Sequence, residues 1–238
     1  MTPPRAAGAL LLLFDVAPEA IDEHDGWHTH EHMPERLALP GFVRGTRWTR
    51  AAGGPRYCVV YEVERPADLA SAAYLERLDH PTPWTTKMMA QYRGMRRTLC
   101  EMRAGAGEGI GSSCLVVTFA AQPGREAELE ARLQGEVLGA LSDRRGLASW
   151  RWLASALPAT MTREQAIRGR DDEVRSALWV TGYDAGVVAA LAASELARPR
   201  LAKCGAAAVE HAIFALAFAL PAAAEPATGV PPAEKAPR

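Results

Sequence analysis

The stretch DEHDGWHTHEHMPERLALPGF, residues 22 to 42, carries four of the chain's six histidines within nine positions, from His24 to His32. Imidazole is the side chain that changes charge near neutral pH, so this density raises three chemical readings. On a helix advancing about 100° per residue, His24, His28 and His32 step along one face with Glu31 and Glu35 beside them, while His30 points away. Two histidines four apart can share a metal, with His24, a glutamate or a distant group as third ligand, although the H-E-x-x-H pattern itself is absent. Alternatively a histidine serves as general base, oriented by Glu31, Asp25 or Glu35. The third reading is a solvated polar face capped by Asp22 or Asp25.

Pro34 removes a helix hydrogen bond and predicts a break just past His32, which can turn side chains toward a cavity. Trp27, Pro34, Leu37 and Ala38 form the stripe expected to face a sheet. Beyond the helix, Arg44 and Arg47 lie at opposite parity on a strand, so one of them at most faces inward unless a bulge intervenes. An inward arginine could clamp a carboxylate or steady an oxyanion. Tyr57 and Tyr61 share a strand face with Val59 and Val63. The segment HPTPWTTKMMAQY, residues 80 to 92, reads as a proline-stiffened loop holding Trp84 as a lid or as a cap on the barrel end. The acidic run Asp171, Asp172, Glu173 reads as a solvated loop.

Elements in the right order must position these groups. Periodicity predicts a strand over 9–16, a helix through the histidines to Leu39, strands over 43–49 and 56–64, a helix over 67–78 and a strand over 96–103. That βαββαβ order is the ferredoxin-like arrangement. After the glycine-rich linker at 105–113 the order recurs, from CLVVTFA to a closing strand around VEHAIFALAFAL. PGFVRGTRWTRA and RRGLASWRWLAS then occupy equivalent places after the first helix of each half, which marks a tandem duplication. The expected fold class is α+β, with two units, 1–104 and 114–221, packed sheet to sheet as an intrachain barrel with helices outside. Residues 222–238, rich in Ala and Pro, are expected to be a disordered tail. The second half carries no histidine, tryptophan or proline in its first helix, so the site belongs to the first half.

With 27 basic and 28 acidic residues there is no electrostatic case for nucleic acid or an anionic membrane as partner. A small molecule is expected, with the chain a monomer or a homodimer. Four scattered cysteines without a C-x-x-C fit a reducing cytoplasm. The run ALLLLF is too short for a signal-peptide core and reads as a buried strand.

WHTHEHMPERLALPGFVRGTRW, followed by PRYCVVYEVE and PTPWT, resembles the EthD-like branch of the dimeric α/β-barrel superfamily, whose members show an aromatic, then EH, then P and R, ahead of a PGF turn. Relatives of that kind include cofactor-free isomerases, cyclases, decarboxylases and lyases, as well as haem-using enzymes. The resemblance implies His32 as base or acid, Glu31 beside it and Arg36 nearby, and it places His28 where relatives often carry tyrosine. The resulting expectation is cofactor-free proton transfer on an apolar or aromatic substrate, of isomerase, lyase or decarboxylase type. His32, Glu31 and His28 are the catalytic candidates, and Trp27, Arg36, Arg44, Arg47, Trp48, Tyr61 and Trp84 the substrate-binding ones. A metal enzyme built on His24, His28 and His32, or a binding module without turnover, are the rival expectations.

Overall fold

The computed structural model describes residues 6–50, 52–158, 160–169 and 171–223, so the expected tail from residue 224 lies outside the described residues. The first half supplies β1 (Gly8–Val16), β2 (Phe42–Thr49), β3 (Tyr57–Val63) and β4 (Tyr92–Ala106), and the second β5 (Ser113–Ala121), β6 (Leu147–Leu157), β7 (Ser176–Gly182) and β8 (Ala206–Pro221). They close into one antiparallel barrel, β1-β3-β2-β8-β5-β7-β6-β4. Each half thus forms a four-stranded sheet of the same internal order, and the pairs β2–β8 and β4–β6 seal the two seams. β4 runs on to Ala106, which shortens the expected linker.

Strand alternation sorts the apolar residues into three cores. Leu11, Leu13, Trp48, Cys58, Val60, Val116, Trp179 and Phe214 fill the barrel lumen. One outer layer, around Leu10, Phe14, Trp27, Met33, Tyr61 and Tyr92, lies under the helices of the first half, and another, around Leu115, Leu133, Trp150 and Leu178, under those of the second.

The helices of the first half are α1 (Ile21–Trp27), a π-helical turn over His28–His32, α2 (Met33–Leu37), α3 (Ala72–Asp79) and α4 (Pro83–Met89). The predicted helix over 67–78 divides, its first part being a 3-10 segment, Pro66–Ala70, before Ser71 caps α3. The 80–92 segment is largely helix rather than loop, because the Thr82 hydroxyl caps the Thr85 amide and Pro83 occupies the first turn. In the second half come α5 (Glu126–Arg132), a π turn over Leu133–Leu138, α6 (Gly139–Ser142), α7 (Arg163–Arg168), α8 (Ala185–Ala190) and α9 (Arg198–Lys203).

The repeat is legible at single residues. Gly41 and Gly146, each just before the second strand of its half, adopt φ of +84° and +95°. A Cβ at Gly41 would strike the Asp68 side chain, and one at Gly146 would strike Val187. Both halves also carry a π turn in the first helix, although only one has Pro34, so the break follows from the fold and does not require the proline. The wider turn rotates the residues beyond it: Met33 and Leu37 are buried, whereas Ala38, expected on the sheet-facing stripe, is exposed.

Trp48, expected to line the substrate pocket, lies in the lumen instead, its ring edge-on to Trp179 at 6.3 Å and its Nε1 donating to Thr46 Oγ1 at 2.9 Å. Strand parity sends it to the barrel interior. Trp48→Ala should therefore cost about 3–5 kcal/mol of stability in urea unfolding and leave ligand affinity of the folded protein unchanged.

Candidate active site

A narrow cavity of about 30 Å3 lies between the outer face of the first sheet and its helices. By a measure in which one water needs roughly 10–15 Å3, it admits about two. Leu10, Leu12 and Phe14 of β1, Val59 and Tyr61 of β3, and Met95 and Arg97 of β4 form its floor. His28, His32 and Arg36 descend from the helix above, and Thr162, Glu164 and Arg168 close it from the second half.

His24, His28 and His32 are 0, 2 and 7% exposed, and His30 is on the surface, as helical spacing predicts. The three rings march along the helix with centroids 5.6 Å apart at each step. Burial holds His32 well below the usual imidazole range, reinforced by Arg36 and the neighbouring histidines. His28 is lowered well below that range by burial and then by His24, Arg47 and Arg36. His24 is lowered by burial, which the hydrogen bond to Asp25 partly offsets. All three are neutral near pH 7.

Their partners differ. His24 Nδ1 faces Asp25 Oδ1 at 3.3 Å, and its Nε2 faces the Tyr92 hydroxyl at 3.3 Å. Burial alone would raise the Asp25 carboxyl, but His24 and Arg47 bring it below its ordinary value. As an ionised acceptor Asp25 requires Nδ1–H on His24, which leaves Nε2 to accept from Tyr92. Burial raises the Tyr92 phenol well above its usual range, so it remains a donor. His28 Nε2 meets the Tyr61 hydroxyl at 3.3 Å. His32 lies tilted against Trp27, with ring centroids 4.4 Å apart, and its buried Nδ1 has no hydrogen-bond partner among the described residues.

Arg36, 2% exposed, pairs through Nη2 with Glu164 of α7, whereas its Nη1 is buried and unpartnered. Burial opposes its charge, and Glu164 more than compensates, raising its proton affinity. His32 and Arg36, four residues apart, both line the cavity, and each carries a buried nitrogen without a hydrogen-bond partner, His32 Nδ1 and Arg36 Nη1.

Other predicted site residues lie elsewhere. Glu31 does not orient His32, because its Oε1 accepts from Trp27 Nε1 at 3.2 Å, Thr82 Oγ1 at 2.5 Å and Thr85 Oγ1 at 3.2 Å, tying the helix to α4. Trp27 backs the histidine ring from full burial and is not part of the cavity wall. Arg44 pairs with Glu62 on the lumen side, and Arg47 faces the helix layer, 3.7 Å from Asp25. Opposite parity separates them as expected, yet neither reaches the cavity. Trp84 donates to Glu23 at 3.2 Å, packs against the first-half core and is not part of this cavity's wall. Nor does the histidine row form a ligand set: His24 and His28 have nitrogens committed to Asp25, Tyr92 and Tyr61, and no three metal-ligating side chains gather among the described residues.

Sequence reasoning missed Tyr92, Arg97, Thr162, Glu164 and Arg168. The last three sit on an excursion between β6 and β7 whose signal was present, since Thr162 followed by Gln165 is a helix-start pattern and the Thr162 hydroxyl accepts from the Gln165 amide. The acidic run is likewise structural: Asp171 pairs with buried Arg168, and Asp172 exchanges backbone hydrogen bonds with Met95 and Arg97 of β4.

Three neutral buried histidines have a signature in pH. Below about pH 6.5 the unfolded chain takes up protons that the folded chain excludes, so stability is full above that value and declines as the pH falls, by up to about 1.4 kcal/mol per pH unit per histidine. Thermal unfolding midpoints should drop between pH 7.5 and 5.5, and His28→Asn should flatten the slope. A midpoint that rises over this window would contradict neutral burial.

No family model and no curated protein matches the chain. Among solved structures it is similar to an anthrone oxidase-like protein, at 12% identity and a TM-score of 0.65 over 96% of this chain and 98% of the other. A proposed monooxygenase from Fusobacterium nucleatum subsp. nucleatum matches at 8% identity and TM-score 0.58, over 90% of this chain and 94% of the other. Another, from Lactobacillus acidophilus NCFM, matches at 6% identity and TM-score 0.52, over 89% and 93% of the two chains. The closed eight-stranded sheet, its flanking helices and these neighbours together show that the chain has the dimeric α/β-barrel fold, with both ferredoxin-like halves supplied by one polypeptide.

Proposed function

We propose that the chain is a small-molecule enzyme that moves a proton on an apolar or aromatic carbon acid, using side chains alone, with His32 as base. The observation that carries this reading is the pair of unsatisfied groups on two residues that line one cavity of mixed character, the neutral His32 imidazole and Arg36 Nη1. Buried polar groups are nearly always hydrogen-bonded, and an orphan acceptor beside an orphan donor calls for a ligand that supplies both partners.

An enolisable ketone does so. His32 takes the proton from the carbon beside or conjugated to the carbonyl, and the C–H electron pair moves into the ring system and onto the carbonyl oxygen. Arg36 Nη1–H donates to that oxygen as its charge develops. Return of the proton from His32 to carbon or oxygen completes an exchange or a tautomerisation. Tyr92, held by His24 and Asp25, and Tyr61, held by His28, offer further hydroxyls to the same cavity. The name of the anthrone oxidase-like neighbour supports an aromatic carbon acid as the first class to test. A ring does not fit the cavity as it stands, so Met89 and Met95 in its wall must shift, and methionine is the side chain that repacks most readily.

The rival metal reading lacks a gathered ligand set among the described residues, and Glu31 is spent on α4, so His32 acts without a carboxylate of its own. Hydrogen–deuterium exchange of the anthrone methylene, followed by proton NMR in D2O, tests the proposal. The protein should accelerate exchange, His32→Ala should lose roughly 10²- to 10⁴-fold of the rate, and His30→Ala should keep it. Binding of anthrone with no acceleration by the wild-type protein would instead identify a binding module.

A further inference from the structure

Arg97 lines the inner cavity and also a second one of about 420 Å3, which lies between β4 and the β6–β7 excursion. Small-molecule sites typically occupy roughly 300–1,000 Å3, so the outer space alone is of ligand size. Its wall contains Thr98, Ser155, Gln165, Asp171, Glu173 and Arg175 beside Arg97.

The charges of that wall are unevenly matched. Asp171 is neutralised by Arg168, and Glu173 pairs with Arg175 at 3.3 Å and accepts from Ser155. Arg97, 9% exposed, pairs with no carboxylate among the described residues, and its guanidinium has a single long hydrogen bond, Nη2 to the Tyr74 hydroxyl at 3.5 Å. Gln165, 8% exposed, carries an Oε1 that is buried and unpartnered. A nearly buried cation with spare donors and, independently, a glutamine whose buried Oε1 has no partner therefore line one chamber, and Arg97 also borders the His32 cavity.

We propose that this chamber binds the acidic arm of the substrate. The anionic group lies on Arg97, a neighbouring hydroxyl or N–H donates to Gln165 Oε1, and the apolar part extends past Arg97 toward His32. The substrate class is thus an amphipathic organic acid with a hydrogen-bond donor next to its acid group and an apolar ring or chain at the other end. This deepens the proton-transfer reading and rests on it for the direction in which the ligand points.

Three probes of one size separate these contacts: mandelate has acid and hydroxyl, mandelamide the hydroxyl without the charge, and phenylacetate the charge without the hydroxyl. In titration calorimetry wild-type protein should bind mandelate roughly tenfold or more tightly than mandelamide, the scale of a hydrogen bond to a charged group, and a few-fold more tightly than phenylacetate. Arg97→Gln should erase the first preference and Gln165→Leu the second, while Arg97→Lys should retain part of the first. Equal binding of mandelate and mandelamide by the wild-type protein overturns the proposal without recourse to a variant, and so does a preference that survives Arg97→Gln. Because His32→Ala should keep the mandelate preference while losing anthrone exchange, the binding chamber and the base can fail separately.

Discussion

The ion pair between Arg36 and Glu164 joins residues 128 positions apart, each side chain 3% exposed, and the whole candidate site hangs on it. Two charges removed from water repay their desolvation only when paired closely, and leaving one behind costs about 3–5 kcal/mol. α7 cannot drift from α2 without exposing that cost. Its packing draws the excursion between β6 and β7 across the mouth of the first half, where the Arg163 amide also bonds Asp79 of α3 at 2.9 Å. The same pair fixes the guanidinium so that Nη2 is spent and Nη1 is left over beside His32. A contact that looks purely architectural thereby decides which N–H groups remain for a ligand.

Much of the architecture was legible in the amino-acid pattern because strands and helices here obey simple periods. The βαββαβ order, its repetition and the paired glycines Gly41 and Gly146 follow from alternation and from the turn each half needs. At the site, His28 and His32 were identifiable from one helix face and Tyr61 from one strand face, Arg36 was implied only by the family resemblance, and all four line the inner cavity. The failures have specific causes. Trp48 and Arg44 point into the lumen, a side that pattern alone does not distinguish from the helix side when both are apolar. Glu31 was paired with its sequence neighbour, whereas it accepts from Trp27 and from Thr82 and Thr85, the last two more than 50 residues away. Glu164 and Arg168 sit on a helix too short to show an amphipathic period, and the partner of Glu164, Arg36, lies 128 residues away.

The two halves share a plan down to the π turn in the first helix but not its contents. In the first half that turn is written HTHEH and faces a cavity; in the second it is LQGEVL and packs Leu133, Val137 and Leu138 into the core. A π turn spaces side chains more widely than an α turn, which suits either use. What the second half lacks in histidines it returns as α7, whose counterpart between β2 and β3 of the first half is a short connection. The duplicated scaffold thus differs in content, one copy presenting the buried histidines and the other the wall opposite them.

The closed ring of strands has a further implication. When two identical chains build such a barrel, every substitution is made twice, and a change that improves one pocket is imposed on its twin and on both seams at once. Here β2–β8 and β4–β6 are different seams with different residues, so each can be altered alone. Freed from symmetry, the chain can give up a second pocket to perfect the first, and a single excursion such as 158–175 can grow on one side without a copy that must be accommodated on the other.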